Sequence, residues 1–228
     1  MGGVAIVSID VPVLPAASVL VLRDGPLEVL MLKRSANASF VPNAWVFPGG
    51  VVDQLDGEIA SEIGDGSPLT TMKYAAVREL FEEAGLWLGA PLQEAQTKRR
   101  RLLAGSLSLR HLLAESTVDL DKLVWTSRWI TPIGVPKRFD TYFFLTVVDR
   151  SAIATAHEEE AVEAIWIEPR MALDRTDLQL VFPTIKNLEA IAGFQSSEEL
   201  LASRRGAEIP TMRPMLVQRD GKKQIVLP

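Results

Sequence analysis

RELFEEAGL, residues Arg78 to Leu86, sets three glutamates, Glu79, Glu82 and Glu83, just ahead of a glycine. The spacing i, i+3 and i+4 brings all three carboxylates onto one face of a helix. Like charges so placed repel by roughly 0.2–0.5 kcal/mol per close pair, and they also meet the negative end of the helix dipole. Local physics opposes the arrangement, and a segment that breaks local rules is where a functional site is expected. Carboxylate oxygens are the ligands that Mg²⁺ and Mn²⁺ prefer, so a divalent cation is one compensation. A solvated acidic face on a surface helix is the other, and on the three carboxylates alone the two readings stand level.

Working outward, the segment predicts a helix over about 71–84, capped by Ser67 or Thr70 and ended by Gly85. Tyr74, Val77, Leu80, Phe81 and Ala84 make its apolar stripe, with the glutamates on another face. Upstream, strands are expected at about Ala17 to Leu22 and Leu27 to Lys33, joined at Asp24, Gly25 and Pro26. The apolar WVFPGGVVD is broken by Pro48, Gly49 and Gly50, and a polar loop is expected over about 54–69. Downstream, a helical insertion covers about 91–116, and strands resume at LVWTSRWIT, FDTYFFLTVV and AVEAIWI. MALDRTD, PTIKNLEAIAG and SSEELLASRRG read as short helices, and MLVQRDGKKQIVL as a hairpin around Asp220 and Gly221. Irregular alternation of strands and helices gives an α+β class with no internal repeat. No domain boundary stands out, so residues 1–228 are taken as a single domain with a C-terminal extension over about 195–228.

Composition bounds the function. A chain of 228 residues, 47% hydrophobic and 23% charged, suits a soluble globular domain with a real core. A net charge of −5 argues against nucleic acid as a partner, because phosphate backbones reward a basic surface. The absence of cysteine removes disulfides, thiolate metal sites and cysteine nucleophiles. The apolar N-terminal stretch is interrupted by Asp10, Pro12 and Pro15 and follows no positive cluster, so neither a signal peptide nor a membrane span is expected. The expectation is a cytoplasmic protein without a membrane partner.

RELFEEAGL matches the core of the Nudix box, R-E-U-x-E-E-x-G-U with U a bulky aliphatic residue, at every specified position, and a strand ending FPGG precedes it. The chain resembles a Nudix hydrolase, which implies an α/β/α sandwich around a mixed central sheet. The full pattern, G-x5-E-x7-R, puts 14 positions between its glycine and arginine, whereas Gly50 to Arg78 is 78 − 50 = 28. About 14 residues are therefore inserted. Counting back eight from Arg78 gives Thr70 and counting forward six from Gly50 gives Asp56, so the box's first glutamate is absent, a loss that bears on loop geometry more than on metal binding. The elongated box resembles the branch that includes the peroxisomal coenzyme A diphosphatases. Of that branch's signature, R-[S/A]-x3-R-x3-G-x3-F-P-G-G, Arg34, Ser35 and Phe47 to Gly50 fall in register, while Ser39 replaces the second arginine and Asn43 the glycine. SRWITPIGVPKRFDTYFF is similar to the same branch.

The resemblance implies a diphosphatase dependent on Mg²⁺ or Mn²⁺, cleaving a nucleoside diphosphate linked to another moiety. Coenzyme A or an acyl derivative leads, giving 3′,5′-ADP and 4′-phosphopantetheine. ADP-ribose, NADH or a dinucleoside polyphosphate is the alternative, and a noncatalytic nucleotide-binding module the third. The resemblance assigns metal binding to Glu79, Glu82 and Glu83 with a backbone carbonyl at Gly49 or Gly50, and an orienting role to Arg78. The general base is expected among Glu158, Glu159, Glu160 and Glu163, with Glu160 first and Glu163 second; His157 is a further candidate, and His111 reads as structural. Arg34 is a candidate for the diphosphate, Lys137 and Arg138 for a further phosphate, and Phe47, Tyr142 or Phe143 for stacking on adenine, with core packing the competing fate of each aromatic. The run Lys98 to Arg101 reads as a solvated face. The box insertion or the helical insertion is expected to line the substrate cleft. A homodimer through the apolar C-terminal hairpin is an expectation by analogy.

Overall fold

The computed structural model describes residues 11–39, 41–157, 161–219 and 222–227. Strands β1 (Val13–Arg23), β2 (Glu28–Arg34), β3 (Trp45–Val46) and β4 (Gly49–Val51) come first. Four helices follow: α1 (Gln54–Ile63), α2 (Pro68–Ala84), α3 (Ala95–Leu103) and α4 (Leu109–Glu115). Strands β5 (Val124–Ile130), β6 (Arg138–Val147) and β7 (Ala161–Ile167) lead to helices α5 (Pro169–Asp174), α6 (Phe182–Ile191) and α7 (Ser197–Arg204). A short strand β8 (Thr211–Met212) and the antiparallel pair β9 (Met215–Arg219) and β10 (Lys222–Val226) close the described chain.

The sheet runs β3-β2-β1-β6-β5-β8, with β4 also paired to β1 and β7 to β2. It is mixed: β1 and β6 are parallel over the ten positions from Val13↔Arg138 to Leu22↔Val147, and β5 and β8 are parallel, whereas the other pairs are antiparallel. β1 can be so apolar because it is covered on both faces. Ala17, Val19 and Val21 pack toward α1 and α2, while Leu20 and Leu22 pack toward α6 and α7. Two cores separated by one sheet make the α/β/α sandwich expected from the sequence. A smaller cluster of Phe81, Leu92, Leu102 and Leu112 binds α3 and α4 to the outer side of α2. The C-terminal extension is not peripheral throughout, since Leu200 of α7 is fully buried in the second core.

Helix α2 starts at Pro68, three residues earlier than expected, with Pro at its first turn and the Ser67 hydroxyl accepting the Thr70 N–H at 3.2 Å. Gly85 ends it at φ 71°, the left-handed conformation that glycine adopts at little cost. The whole predicted apolar stripe is buried. The polar loop expected over about 54–69 is corrected: its first ten residues are α1. Asp53 caps α1, accepting from the Leu55 N–H at 2.9 Å, and Asp56 returns the bond by accepting the Asp53 N–H at 2.8 Å. Ile59 and Ala60 then bury against α2. Local capping and two apolar contacts stabilise a helix whose Gly57 and polar residues suggest none. Among the described residues no helix is long and apolar enough to cross a membrane.

Replacing Asp53 with Ala removes that cap, and we expect a loss of about 1 kcal/mol of unfolding free energy. A lower urea midpoint at unchanged slope checks it.

Candidate active site

The site is built where α2 passes under the turn between β3 and β4. Two glycines make the approach feasible. A Cβ on Gly49 would lie 2.3 Å from the Ala17 carbonyl oxygen, and one on Gly50 would lie 2.5 Å from Glu79 Oε1. The Gly49 N–H donates to Glu83 Oε2 at 2.8 Å. Glu79 and Glu83 are only 8% and 6% exposed, so the solvated acidic face is overturned: the carboxylates line an inner rim under the diglycine turn.

Arg78 gathers the carboxylates. Its Nη1 donates to Glu79 Oε1 at 2.8 Å and to Glu82 Oε2 at 3.0 Å. Its other edge grips Asp56, Nε to Oδ1 at 3.1 Å and Nη2 to Oδ2 at 2.9 Å, and Nη2 also donates to the Val51 carbonyl. Burial alone would lower the Arg78 pKa; the Asp56 bonds and the charges of Glu79, Asp56 and Glu82 more than offset it and raise it above the ordinary guanidinium range. Asp56 is fully buried. The carboxylate expected to be missing from the box is therefore supplied, one methylene shorter, at the position counted forward from Gly50, with the insertion folded as a helix behind it.

At its carboxyl end α2 is tied to other segments. Arg99 of α3 donates Nε to the Glu82 carbonyl at 2.9 Å, Nη1 to Thr155 Oγ1 at 2.8 Å and Nη2 to the Thr155 carbonyl at 2.9 Å. The Thr155 N–H donates to the Ala84 carbonyl at 2.9 Å and the His157 N–H to the Glu83 carbonyl at 3.2 Å. The run Lys98 to Arg101 is thus only in part a solvated face. Arg100 and Arg101 are exposed and Lys98 pairs with Glu115, but Arg99 is 5% exposed. Desolvation lowers the Arg99 pKa, opposed by the nearby Glu83 charge.

The candidate bases separate. Glu158, Glu159 and Glu160 lie outside the described residues. Glu163 pairs with Lys33 at 3.9 Å, and it alternates with Ala164 and Trp166, which pack toward α2, so its side chain stands on the opposite face of the sheet from the box glutamates. Its candidacy as base is corrected on that ground. His157 is half-buried, and its Nδ1 is enclosed without a hydrogen-bond partner among the described residues. His111 is exposed and its Nδ1 accepts the Ser108 N–H at 3.4 Å, a helix-capping role.

A cavity of about 750 Å³ opens beside Gly49 and Gly50. Its wall brings together Arg34, Phe47, Lys137, Arg138 and Phe143, with Trp129, Phe139, Val181 and Phe182 and, from the C-terminal segment, Pro214 and Ile225. Phe47 and Phe143 meet edge to face at 6.4 Å between centroids and are nearly buried, so both are wall rather than free stacking platforms. Tyr142 is elsewhere, stacked on Trp125 at 5.1 Å with Arg128 over its ring. Neither the box insertion nor the helical insertion lines the cavity, which corrects that expectation. The two departures from the coenzyme A signature acquire local explanations. Asn43 has φ 62°, a conformation that asparagine tolerates in place of glycine, and Ser39 Oγ accepts from Lys137 Nζ at 2.9 Å, so a cation stands where the signature has arginine.

Against known proteins, the family model for the NUDIX domain matches residues 12–187. Nudix hydrolase 7 of Caenorhabditis elegans is 35% identical over 165 residues, 70% of this chain and 52% of that protein. The acyl-coenzyme A diphosphatase NUDT19 of Gallus gallus is 26% identical over 262 aligned positions, 81% of this chain and 69% of that protein. The chain thus spans about half the length of the nematode relative and about two thirds of the avian one. Among solved structures, a NUDIX hydrolase from Alicyclobacillus acidocaldarius matches with a TM-score of 0.76 at 29% identity, covering 85% of this chain and 97% of that one.

The geometry generates one stability prediction. Asp56→Ala strands the Arg78 guanidinium at its buried edge and is expected to cost about 3–5 kcal/mol of unfolding free energy. Chemical denaturation checks it, and a loss below about 1 kcal/mol, the scale of an exposed pair, would show that Asp56 does not anchor the cluster.

Proposed function

The chain belongs to the Nudix family, and on that premise we propose that it is a divalent-cation-dependent diphosphatase acting on coenzyme A or acyl-coenzyme A. The observation that carries the substrate assignment is the cavity: a largely apolar wall with Arg34, Lys137 and Arg138 set into it, beginning at the diglycine turn over the glutamates. A ligand that suits it has phosphates at one end and a long, weakly polar arm at the other. Coenzyme A has both. Similarity to the avian acyl-coenzyme A diphosphatase supports the same assignment.

The donor set fits a hard cation in chemistry. Glu79, Glu82 and Glu83 supply only oxygen, on one helix face, next to a backbone that has no side chain to obstruct an approach. Among the described residues no three acidic or imidazole groups are gathered around one point, so a cation would have to draw Glu79 and Glu82 partly from Arg78. Mg²⁺ or Mn²⁺ bound there would neutralise diphosphate charge and lower the pKa of an attacking water.

The protein's own groups do the rest. In the reaction one water adds across the P–O–P bridge: its oxygen bonds to one phosphorus, and the bridging oxygen leaves on the other phosphate. Arg78 holds Glu79 and Glu82 against their mutual repulsion and, through Asp56, fixes them to α1. Arg34 meets the diphosphate, and Lys137 and Arg138 meet the 3′-phosphate, each as a charge partner. Glu160 takes the proton from water; in chain order it follows the 155–157 segment that is bonded to the end of α2.

Hydrolysis assays with Mg²⁺ and Mn²⁺ across coenzyme A, acetyl-coenzyme A, ADP-ribose, NADH and diadenosine polyphosphates test this. Coenzyme A species are expected to show the highest kcat/KM, and Glu83→Gln to lower kcat by on the order of 10²-fold or more. Faster cleavage of ADP-ribose or NADH would overturn the substrate assignment. No turnover of any nucleotide would leave a binding module. Lys137→Ala is expected to raise KM for coenzyme A several-fold and to leave KM for 3′-dephospho-coenzyme A unchanged, consistent with loss of one charge-assisted contact worth about 1.5–3 kcal/mol at most.

A further inference from the structure

The carboxyl end of α2 departs from ordinary helix capping. The last carbonyls of a helix lack intrahelical donors and usually turn to water or to the following few residues. Here the Phe81 carbonyl takes the Gly85 N–H, as expected of a left-handed glycine end. The next three carbonyls each take a donor from far along the chain: Glu82 from Arg99 Nε, Glu83 from the His157 N–H and Ala84 from the Thr155 N–H.

Only one of those donors carries charge. Arg99 is nearly buried, yet among the described residues its hydrogen bonds go to two neutral carbonyls and a hydroxyl. A buried guanidinium is a costly way to satisfy carbonyls that a neutral donor could serve. Its charge becomes useful because the last turn of α2 holds both the negative end of the helix dipole and two glutamates. Gly85 completes the fit, since a Cβ there would come within 3.0 Å of both Arg99 Nη1 and Thr155 Oγ1.

We propose that Arg99 is a positioning residue, clamping the last turn of α2 to the 155–157 segment and thereby fixing where the Glu82 and Glu83 carboxylates stand. The proposal rests on the metal-binding reading of those glutamates. The guanidinium touches backbone, not substrate, so it acts through the geometry of the two carboxylates and of the segment that leads into Glu160. The helical insertion, absent from the cavity wall, acquires a role in this way: α3 carries the clamp.

A purely structural arginine and a positioning one predict different losses. Mn²⁺ binding to the full chain, read from the free-ion electron paramagnetic resonance signal without substrate, is measured together with kcat, KM for coenzyme A and the melting temperature. The proteins compared are wild type, Arg99→Met, Arg99→Lys, Thr155→Val and, as control, Glu83→Gln. Arg99→Met is expected to weaken Mn²⁺ binding by about tenfold or more, as loss of a group that orients ligands does, and to lower kcat with KM within about twofold. Arg99→Lys should recover part of the Mn²⁺ affinity, because it keeps the charge but cannot reach all three acceptors. Thr155→Val should move Mn²⁺ affinity and kcat in the same direction by less, and it decides the question if Arg99→Met does not fold. Wild-type Mn²⁺ affinity and kcat in a folded Arg99 or Thr155 variant, with only the melting temperature lowered, overturn the proposal. Wild-type Mn²⁺ affinity in Glu83→Gln overturns the metal reading itself, and the Arg99 proposal with it.

Discussion

Four carboxylates and one guanidinium form the constraint on which the rest depends. Asp56, Glu79 and Glu82 all bond to Arg78, while Glu83 is turned aside by the Gly49 amide. Remove the guanidinium and three negative groups would share a poorly hydrated rim, with Glu82 in the last turn of α2, at the dipole end that least favours it. The surrounding architecture serves that arrangement. Glycine at 49 lets the turn settle on β1, glycine at 50 leaves room for Glu79, and α1 is folded so that Asp56 points inward.

The cluster depends on the relative placement of several elements. Its parts come from α1, α2 and the β3–β4 turn, and the two-sided sheet supplies the fixed platform beneath them. The cavity is assembled differently. Its wall draws on β1, β3, β5, β6, the start of α6 and the C-terminal segment, together with Arg34 and the Gly49–Gly50 turn, and no residue of the insertion lines it. The geometry of the carboxylate cluster and the shape of the cavity are therefore encoded by largely different stretches of chain that meet at Gly49 and Gly50.

Much of this was legible in the sequence because it is written in short-range pattern. The apolar stripe from Tyr74 to Ala84, the FPGG turn, the later strands and the helices near the C-terminus all depend on neighbours a few residues apart. What escaped depends on distance. Asp56 looked like a loop residue because Gly57 and a polar composition conceal α1, whose stability comes from a cap and from burial of Ile59 and Ala60 against another helix. Arg99 looked like one member of a solvated basic run; only its partners at Glu82 and Thr155, both outside α3, distinguish it from Arg100 and Arg101. The side of the sheet that Glu163 faces is set by pairing with β2, across a register shift between Lys33 and Arg34, and local sequence does not encode it. Lys137 beside Ser39 is a contact spanning 98 residues, beyond any local signal.

The parallel pairing of β1 with β6 at the middle of the sheet has a consequence for how the molecule comes to exist. Val13 lies opposite Arg138, so the central ladder closes a loop of 138 − 13 = 125 residues. Closing so long a loop costs entropy that no local contact repays until the ladder has begun to form. On the ribosome, β1 and the helix carrying the glutamates emerge well before β6 is synthesised, and until then one long edge of an apolar strand has no permanent neighbour. The order of synthesis thus makes the completion of the central ladder, rather than the helix bearing the glutamates, the step on which correct folding waits.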